Sequence, residues 1–282
     1  MQADAAPYWT TAVSDVDAED VHIRGYPLRE VLGELPFAAA TFLLIRGRLP
    51  SPGEARMMDG LLCAVLDYSL QKPGTMAARY CVSANPNMAA GLAAAVLSVG
   101  EYTLAPDDAG RFIAKTFAAY KASGRDRASE AVRLVAELRA QHRRVPGFGH
   151  PNFRFVDPRA AKLKRISQLA GVWSEECEWY VAVHSAFIEA ADKPDLVIND
   201  VGMMAAIMVG MGFTPAEMTG IAVLSSLPGV IAHVSEELQT EVRIRTVPEG
   251  SASYARERRD LERDLAHAGW PSADGAGKGG RS

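Results

Sequence analysis

The 282-residue sequence predicts an all-α fold on three observations: apolar residues recur at three- and four-residue spacing, capping residues punctuate the chain, and no stretch sustains a period of two. Phe37, Phe42, Leu43 and Ile45 form one helical stripe, and Met57, Leu61, Leu62 and Leu66 the next. Helix starts are expected at Ser51 (before Pro52 and Glu54), Asp157 (before Pro158), Ser174 (before Glu175 and Glu176) and Thr214 (before Pro215). In each case a capping side chain precedes a residue suited to a first turn. Gly100, Gly124, Gly171, Gly212 and Gly269 follow apolar runs, where a left-handed residue would end a helix. The pattern predicts about ten helices, with Arg143 to Arg159 as the longest irregular segment.

Organisation follows from the same signals. Residues 1–270 are expected to form one unit, with a large helical domain over about 1–154 and 241–270 and a smaller helical lobe over about 155–240. The lobe is placed there because Val172 to Ala191 and Val201 to His233 form compact helical patterns bracketed by Pro and Gly. Residues 271–282 offer almost nothing to bury and are expected to be a disordered tail.

Composition excludes several function classes. With 48% hydrophobic residues the chain can bury a large core, and a net charge of −4 argues against nucleic acid or an anionic membrane surface as partner. The three cysteines, Cys63, Cys81 and Cys177, have neither metal-ligand spacing nor a disulfide framework, so no metal is expected and a reduced cytoplasmic compartment is. The N-terminus lacks a basic-then-apolar run, and no stretch is expected to reach the roughly 20 apolar residues that span a bilayer.

Chemistry concentrates between Val145 and Arg159. Gly147-Phe148-Gly149-His150 is followed by Arg154 and by Asp157-Pro158-Arg159, combining glycines that permit close backbone approach with one imidazole and two guanidiniums. An imidazole on such a loop can donate to an oxygen that gains negative charge, and an arginine soon after it can grip a carboxylate through paired hydrogen bonds. A ligand with a carbonyl beside a carboxylate suits that pair. The competing reading is a loop histidine satisfied by a backbone carbonyl, flanked by two solvated arginines.

The segment resembles the Gly-Phe-Gly-His … Asp-Pro-Arg signature of the citrate synthase and citryl-CoA lyase superfamily. Arg24-Gly25-Tyr26-Pro27-Leu28 and Phe37 to Leu49 are similar to the family's early turn and helix. Lys193 to Gly202, Gly212-Phe213, Gly229 to His233 and Arg243 to Pro248 are similar to its citryl-CoA-cleaving branch. The resemblance implies a citrate synthase-like helical fold and carbon–carbon bond cleavage or condensation on a carboxylated acyl-CoA. Coenzyme A would be a co-substrate rather than a tightly bound cofactor, and a small carboxylic or oxo acid its partner. It further implies His150 as polariser of the oxo-acid carbonyl and Arg159 as carboxylate clamp. Arg154 is implied at a CoA phosphate, beside a cofactor-binding Gly147, Phe148 and Gly149. Arg245 is implied as a late substrate-binding arginine, with Arg243 an equally placed alternative. Family members are dimers with sites drawn from both chains, so a homodimer is expected, or a hetero-partner of the same family.

The sequence also departs from the family pattern. Tyr68 stands in Asp67-Tyr68-Ser69-Leu70 where the family has its first histidine, and Gly100 to Pro106 holds no counterpart of the enolising histidine. The family's Asn-Val-Asp becomes Asn199-Asp200-Val201, which on a helix start rotates the carboxylate by about 100°. Ser226 falls about where many members carry a substrate arginine. Ordinary citrate synthase chemistry is therefore not expected. Two readings remain: an enzyme using Asp200 as base, with His150 and one of Tyr68, Tyr102 or Glu101 as polarising donors, or a non-catalytic ligand-binding paralogue or partner subunit. Asp200 competes with a plain role as helix N-cap. His184 and His233 read as packing histidines, and Met203, Met204, Met208 and Met211 as a packed methionine wall. The cluster Arg139, His142, Arg143 and Arg144 is either a solvated helix end or a meeting point for CoA phosphates.

Overall fold

The structure, a computed structural model, describes residues 8–270; the tail expected at 271–282 lies outside the described residues. Its regular structure is mostly helix, as the periodicity predicts, and the chain falls into two compact units that divide between Ile244 and Arg245. The first unit opens with an antiparallel meander of β1 (Ser14–Val16), β2 (Val21–Ile23) and β3 (Tyr26–Pro27), in which Ser14 pairs with Ile23 and His22 with Pro27. Strands of two or three residues are too short to show an alternation, which is why the period-two search does not find them. Arg24 holds the meander down: its Nε donates to the Leu44 carbonyl and its Nη1 to that of Ala12.

The helices of this unit are α1 (Leu28–Val31), α2 (Phe37–Arg46), α3 (Pro52–Cys63), α4 (Pro73–Ala84), α5 (Met88–Leu97), α6 (Pro106–Ser123), α7 (Arg127–Ala140), α8 (Pro158–Leu169), α9 (Glu175–Ala191), α10 (Asp200–Gly210) and α11 (Pro215–Gln239). The second unit, residues 245–270 as described, holds α12 (Leu261–His267). All four predicted caps form. Ser51 and Thr214 each close a reciprocal capping box, with Glu54 and Glu217, while Asp157 and Ser174 accept from the first turns of α8 and α9. Gly124, Gly171, Gly212 and Gly269 take positive φ at helix ends; Gly100 does not, and bridges to Thr103 instead.

The core gathers around α10, a helix so apolar that Gly202 through Met208 are all buried. Met203, Met204 and Met208 are packed there against Met57, Met58 and Leu61 of α3 and Ile113 of α6, so the methionine wall is core. One expectation fails: by length and composition α11 is apolar enough to cross a bilayer. Its apolar face serves the interior here, with Met218, Ile221, Ala222 and Val234 fully buried, and a buried core helix passes the same compositional test. The cysteines are free, Cys63 exposed and Cys177 buried.

Candidate active site

The loop before α8 is pinned from beneath. Gly149 N–H donates to the Val197 carbonyl, Asn199 N–H to that of Gly147, and the Asn199 side-chain amide to that of Gly149. Together these make a short bridge between residues 148 and 198. Glycine is required at 147, where φ is +82° and a Cβ would overlap the Tyr180 hydroxyl and lie 2.6 Å from Gly202 Cα. The Tyr180 hydroxyl in turn donates to the Pro146 carbonyl. Phe148 packs against Tyr180, His184 and Phe187, and His184 Nε2 lies 2.8 Å from the Leu196 carbonyl, so His184 has the packing role expected of it. Burial pushes its basicity down, in keeping with a neutral donor.

This anchoring places Asn199 and Asp200 beside His150. Asn199, not Asp200, caps α10, accepting the Gly202 N–H at 2.8 Å. The N-cap reading of Asp200 is thereby corrected: Asp200 occupies the first helical turn, and its carboxylate lies 2.7 Å from Arg159 Nη1. Arg159 also grips Asp157 through two bonds, Nε to Oδ1 at 3.2 Å and Nη2 to Oδ2 at 2.9 Å. Its guanidinium lies over the rings of Tyr68 and Phe153, at 5.4 and 5.5 Å from their centroids. Two of its five N–H donors are thus taken by Asp157, and Asp200 is ion-paired to the same guanidinium.

His150 fixes the remaining geometry. Its Nδ1 accepts the backbone N–H groups of Asn152 and Phe153 at 3.1 and 3.2 Å, which places the proton of the neutral ring on Nε2. That Nε2 lies 3.1 Å from Arg159 Nη2, so two donors face one another. The opposite tautomer would satisfy the single contact with Arg159 and set Nδ1–H against two backbone donors. An oxygen atom lodged between Nε2 and Nη2 would satisfy both groups. Burial first, and the Arg159 charge second, hold the imidazole below its ordinary pKa, so it is a neutral donor. Asp200 shifts the other way: burial pushes its carboxyl up and Asp157 adds to this, with Arg159 opposing. A carboxyl made more basic by burial, beside a neutral imidazole, suits proton transfer.

His150, Asp157 and Asp200 offer ligand atoms within 4.8 Å of one another, the spacing of a metal site. The cation they converge on is the Arg159 guanidinium, which is bonded to both carboxylates and in contact with the imidazole.

His150, Arg159, Asp200 and Tyr68 share one cleft of about 260 Å³, with Lys72, Leu104 and Asn199 also in its walls. The Tyr68 hydroxyl accepts from the Asn152 amide at 2.8 Å, and its ring meets His150 edge-on. Of the other proposed donors, Tyr102 stands at the cleft with its side chain 93% exposed, and Glu101 lines a separate hollow with Asp107 and Arg111. Arg154 is exposed and turned toward its own loop, donating to the carbonyls of His150 and Phe153. Arg143 and Arg144 lie instead with Arg111 and Lys115 along a groove between α6 and α7. Arg245 is exposed and belongs to the second unit. Ser226 donates within its own helix, and His233 meets Asp67 at 3.2 Å. Sequence reasoning misses Lys72, which is 8% exposed, since a lysine before Pro73 looks like an ordinary solvated loop residue.

The comparisons agree with this fold. Residues 50–246 match the model of the family described as citrate synthase, C-terminal domain. Citrate synthase 2 of Bacillus subtilis (strain 168) is 25% identical over 202 residues, 71% of this chain, and the chain spans about half (52%) of that relative's length. The structure of citryl-CoA lyase from Hydrogenobacter thermophilus superposes with a TM-score of 0.83 at 32% identity, covering 92% of this chain and all of that one. ATP citrate lyase from Methanothrix soehngenii, in complex with citrate and coenzyme A, shares the fold at a TM-score of 0.76 and 20% identity, over 91% of this chain and 43% of its own. With the Gly-Phe-Gly-His loop and Asp-Pro-Arg helix start in place, the chain belongs to the citrate synthase family.

Proposed function

We propose that this protein makes or breaks a carbon–carbon bond between an acyl-CoA and an oxo acid, in the manner of a citryl-CoA lyase. The observation that carries the reading is the facing pair of donors, His150 Nε2 and Arg159 Nη2, beside the Asp200 carboxyl in one cleft. A carbonyl oxygen between the two donors would be polarised, and Asp200 would exchange the proton at the carbon of the acyl group. Citryl-CoA lyase is favoured over citrate synthase by the 32% identity and full-length cover of the Hydrogenobacter enzyme. The test is release of free CoA thiol from citryl-CoA and from acetyl-CoA mixed with a panel of oxo acids. Citryl-CoA cleavage is expected.

A second reading, a subunit that holds ligand without turning it over, draws on Tyr68 in place of a histidine and on the carboxylates that already occupy Arg159. Coenzyme A bound in calorimetry with no thiol released across the whole panel would decide for it.

Self-association is proposed on α5. This helix, Met88 to Leu97, is apolar at every position, yet only Gly91 and Ala95 are buried. Val96 and Leu97 stay exposed, beside exposed Met76 and Tyr80 of α4 and Ile231 of α11, on helices that pack with α5. A homodimer closing over this face would remove it from water. Light scattering is expected to give twice the chain mass at micromolar concentration, and a monomer there would reject the dimer.

A further inference from the structure

Lys72 sits at the start of α4 in the wall of the same cleft, in the company of Asp67, Tyr68, His150, Arg159 and Asp200. Three features of its setting are individually unfavourable. Its residue surface is only 8% exposed, and among the described residues its ammonium group has no hydrogen bond and no carboxylate within ion-pair distance. It occupies the N-cap position of α4 without capping it, at the end of a helix that repels positive charge. Desolvation accordingly lowers its basicity, opposed by the more distant charges of Asp67 and Asp200. Local rules broken together, offset only by the charges of Asp67 and Asp200 at a distance, are characteristic of groups that wait for a ligand. The ligand implied is an oxygen that carries or acquires negative charge.

We propose that Lys72 is a catalytic residue of this site: its ammonium donates to the thioester carbonyl oxygen of the acyl-CoA as negative charge builds there. This deepens the acyl-CoA reading and rests on it. In the condensing direction the Asp200 carboxylate takes the proton from the carbon next to the thioester, and the C–H electron pair becomes the enolate double bond. The carbonyl π pair moves onto oxygen, where Lys72 holds it. Cleavage ends with the same steps reversed, the protonated Asp200 returning its proton to carbon. The sequence has no histidine between Gly100 and Pro106, so the oxyanion needs another donor, and a desolvated ammonium is a stronger one than the Tyr68 hydroxyl. His150 and Arg159, whose Nε2 and Nη2 lie 3.1 Å apart, are left to the oxo acid.

The test compares binding of two stable CoA thioethers by calorimetry. S-Carboxymethyl-CoA sets a fixed negative charge next to the sulfur, and S-ethyl-CoA is its neutral control. The wild-type protein is expected to prefer the carboxymethyl derivative. In Lys72→Met and Lys72→Gln that preference should fall by roughly tenfold to a hundredfold, with affinity for S-ethyl-CoA unchanged, and Lys72→Arg should restore part of it. Because a largely desolvated cation with no direct partner among the described residues is removed, Lys72→Met should melt no lower than the wild type, whereas a lysine with a purely structural role would lower it. An unchanged preference in both neutral variants, or a large loss of melting temperature in both, overturns the assignment of Lys72 while leaving the acyl-CoA reading in place. A wild-type protein that binds neither thioether overturns that reading and the assignment with it.

Discussion

Arg159→Met lowers stability by about 3–5 kcal/mol, the usual effect of stripping the partner from a buried charge. Asp157 is fully buried at its side chain and Asp200 nearly so, and the guanidinium is bonded to both. Methionine fills similar space and provides no N–H group, so two carboxyls are left near each other without their cation. For a chain of this size the loss amounts to roughly 6–20 °C in melting temperature. The deficit should depend on pH. Asp200 already has a folded-state pKa above its ordinary value, chiefly through burial, and Arg159 is the largest influence pulling it down. Removing Arg159 raises it further. A carboxyl whose folded pKa exceeds the unfolded one contributes stability below the unfolded value, near 4, and loses it as pH rises through the folded value. The variant should therefore approach the wild type at pH about 4 and fall furthest behind at neutral pH. Thermal melts across that range check the claim, and Arg159→Met combined with Asp200→Asn should recover part of the loss at neutral pH. A deficit independent of pH, or no deficit, would show that the guanidinium is not the hub of this cluster.

That outcome bears on how much of the site could be read in the sequence. The helices, their four caps and the Gly-Phe-Gly-His loop are legible because each depends on residues within a turn or two of one another. The hub is not. Asp157 and Asp200 are 43 residues apart, and the Asp200 N–H donates to Asp157 Oδ2 only because Gly149 and Asn199 bind the two segments together. The sequence makes Arg159 a clamp for a ligand carboxylate, whereas the fold supplies two carboxylates of its own. The one-residue shift of the acid to Asn199-Asp200-Val201 likewise implies a carboxylate rotated by about 100°. Asn199 takes the cap, which leaves Asp200 in the first turn with its oxygen on Arg159. Lys72 was hidden for a related reason: its burial comes from packing around α4 and not from any local pattern. The overlooked β-meander is hidden differently, by strands shorter than one repeat of the signal sought.

His150→Ala is expected to cut turnover of citryl-CoA by roughly 10²- to 10³-fold while leaving the melting temperature close to that of the wild type. The first half follows from the proton on Nε2, which faces an Arg159 nitrogen and has no acceptor there among the described residues. A donor held in that way needs no reorganisation when a carbonyl oxygen arrives and gains charge, and its loss is felt mostly in the transition state. The second half follows from what His150 does for the fold. Its Nδ1 accepts two backbone N–H groups, of which that of Asn152 is on an exposed residue where water can take over. Against this small loss stands the removal of the donor facing Arg159, which relieves a repulsive contact. The two effects oppose one another, so stability should change by about 1 kcal/mol or less. Turnover that survives the substitution would reject His150 as polariser. A melting temperature that collapses with it would make the imidazole a staple of the loop, holding residues 152 and 153 in place, and would return the oxygen site to Arg159 alone.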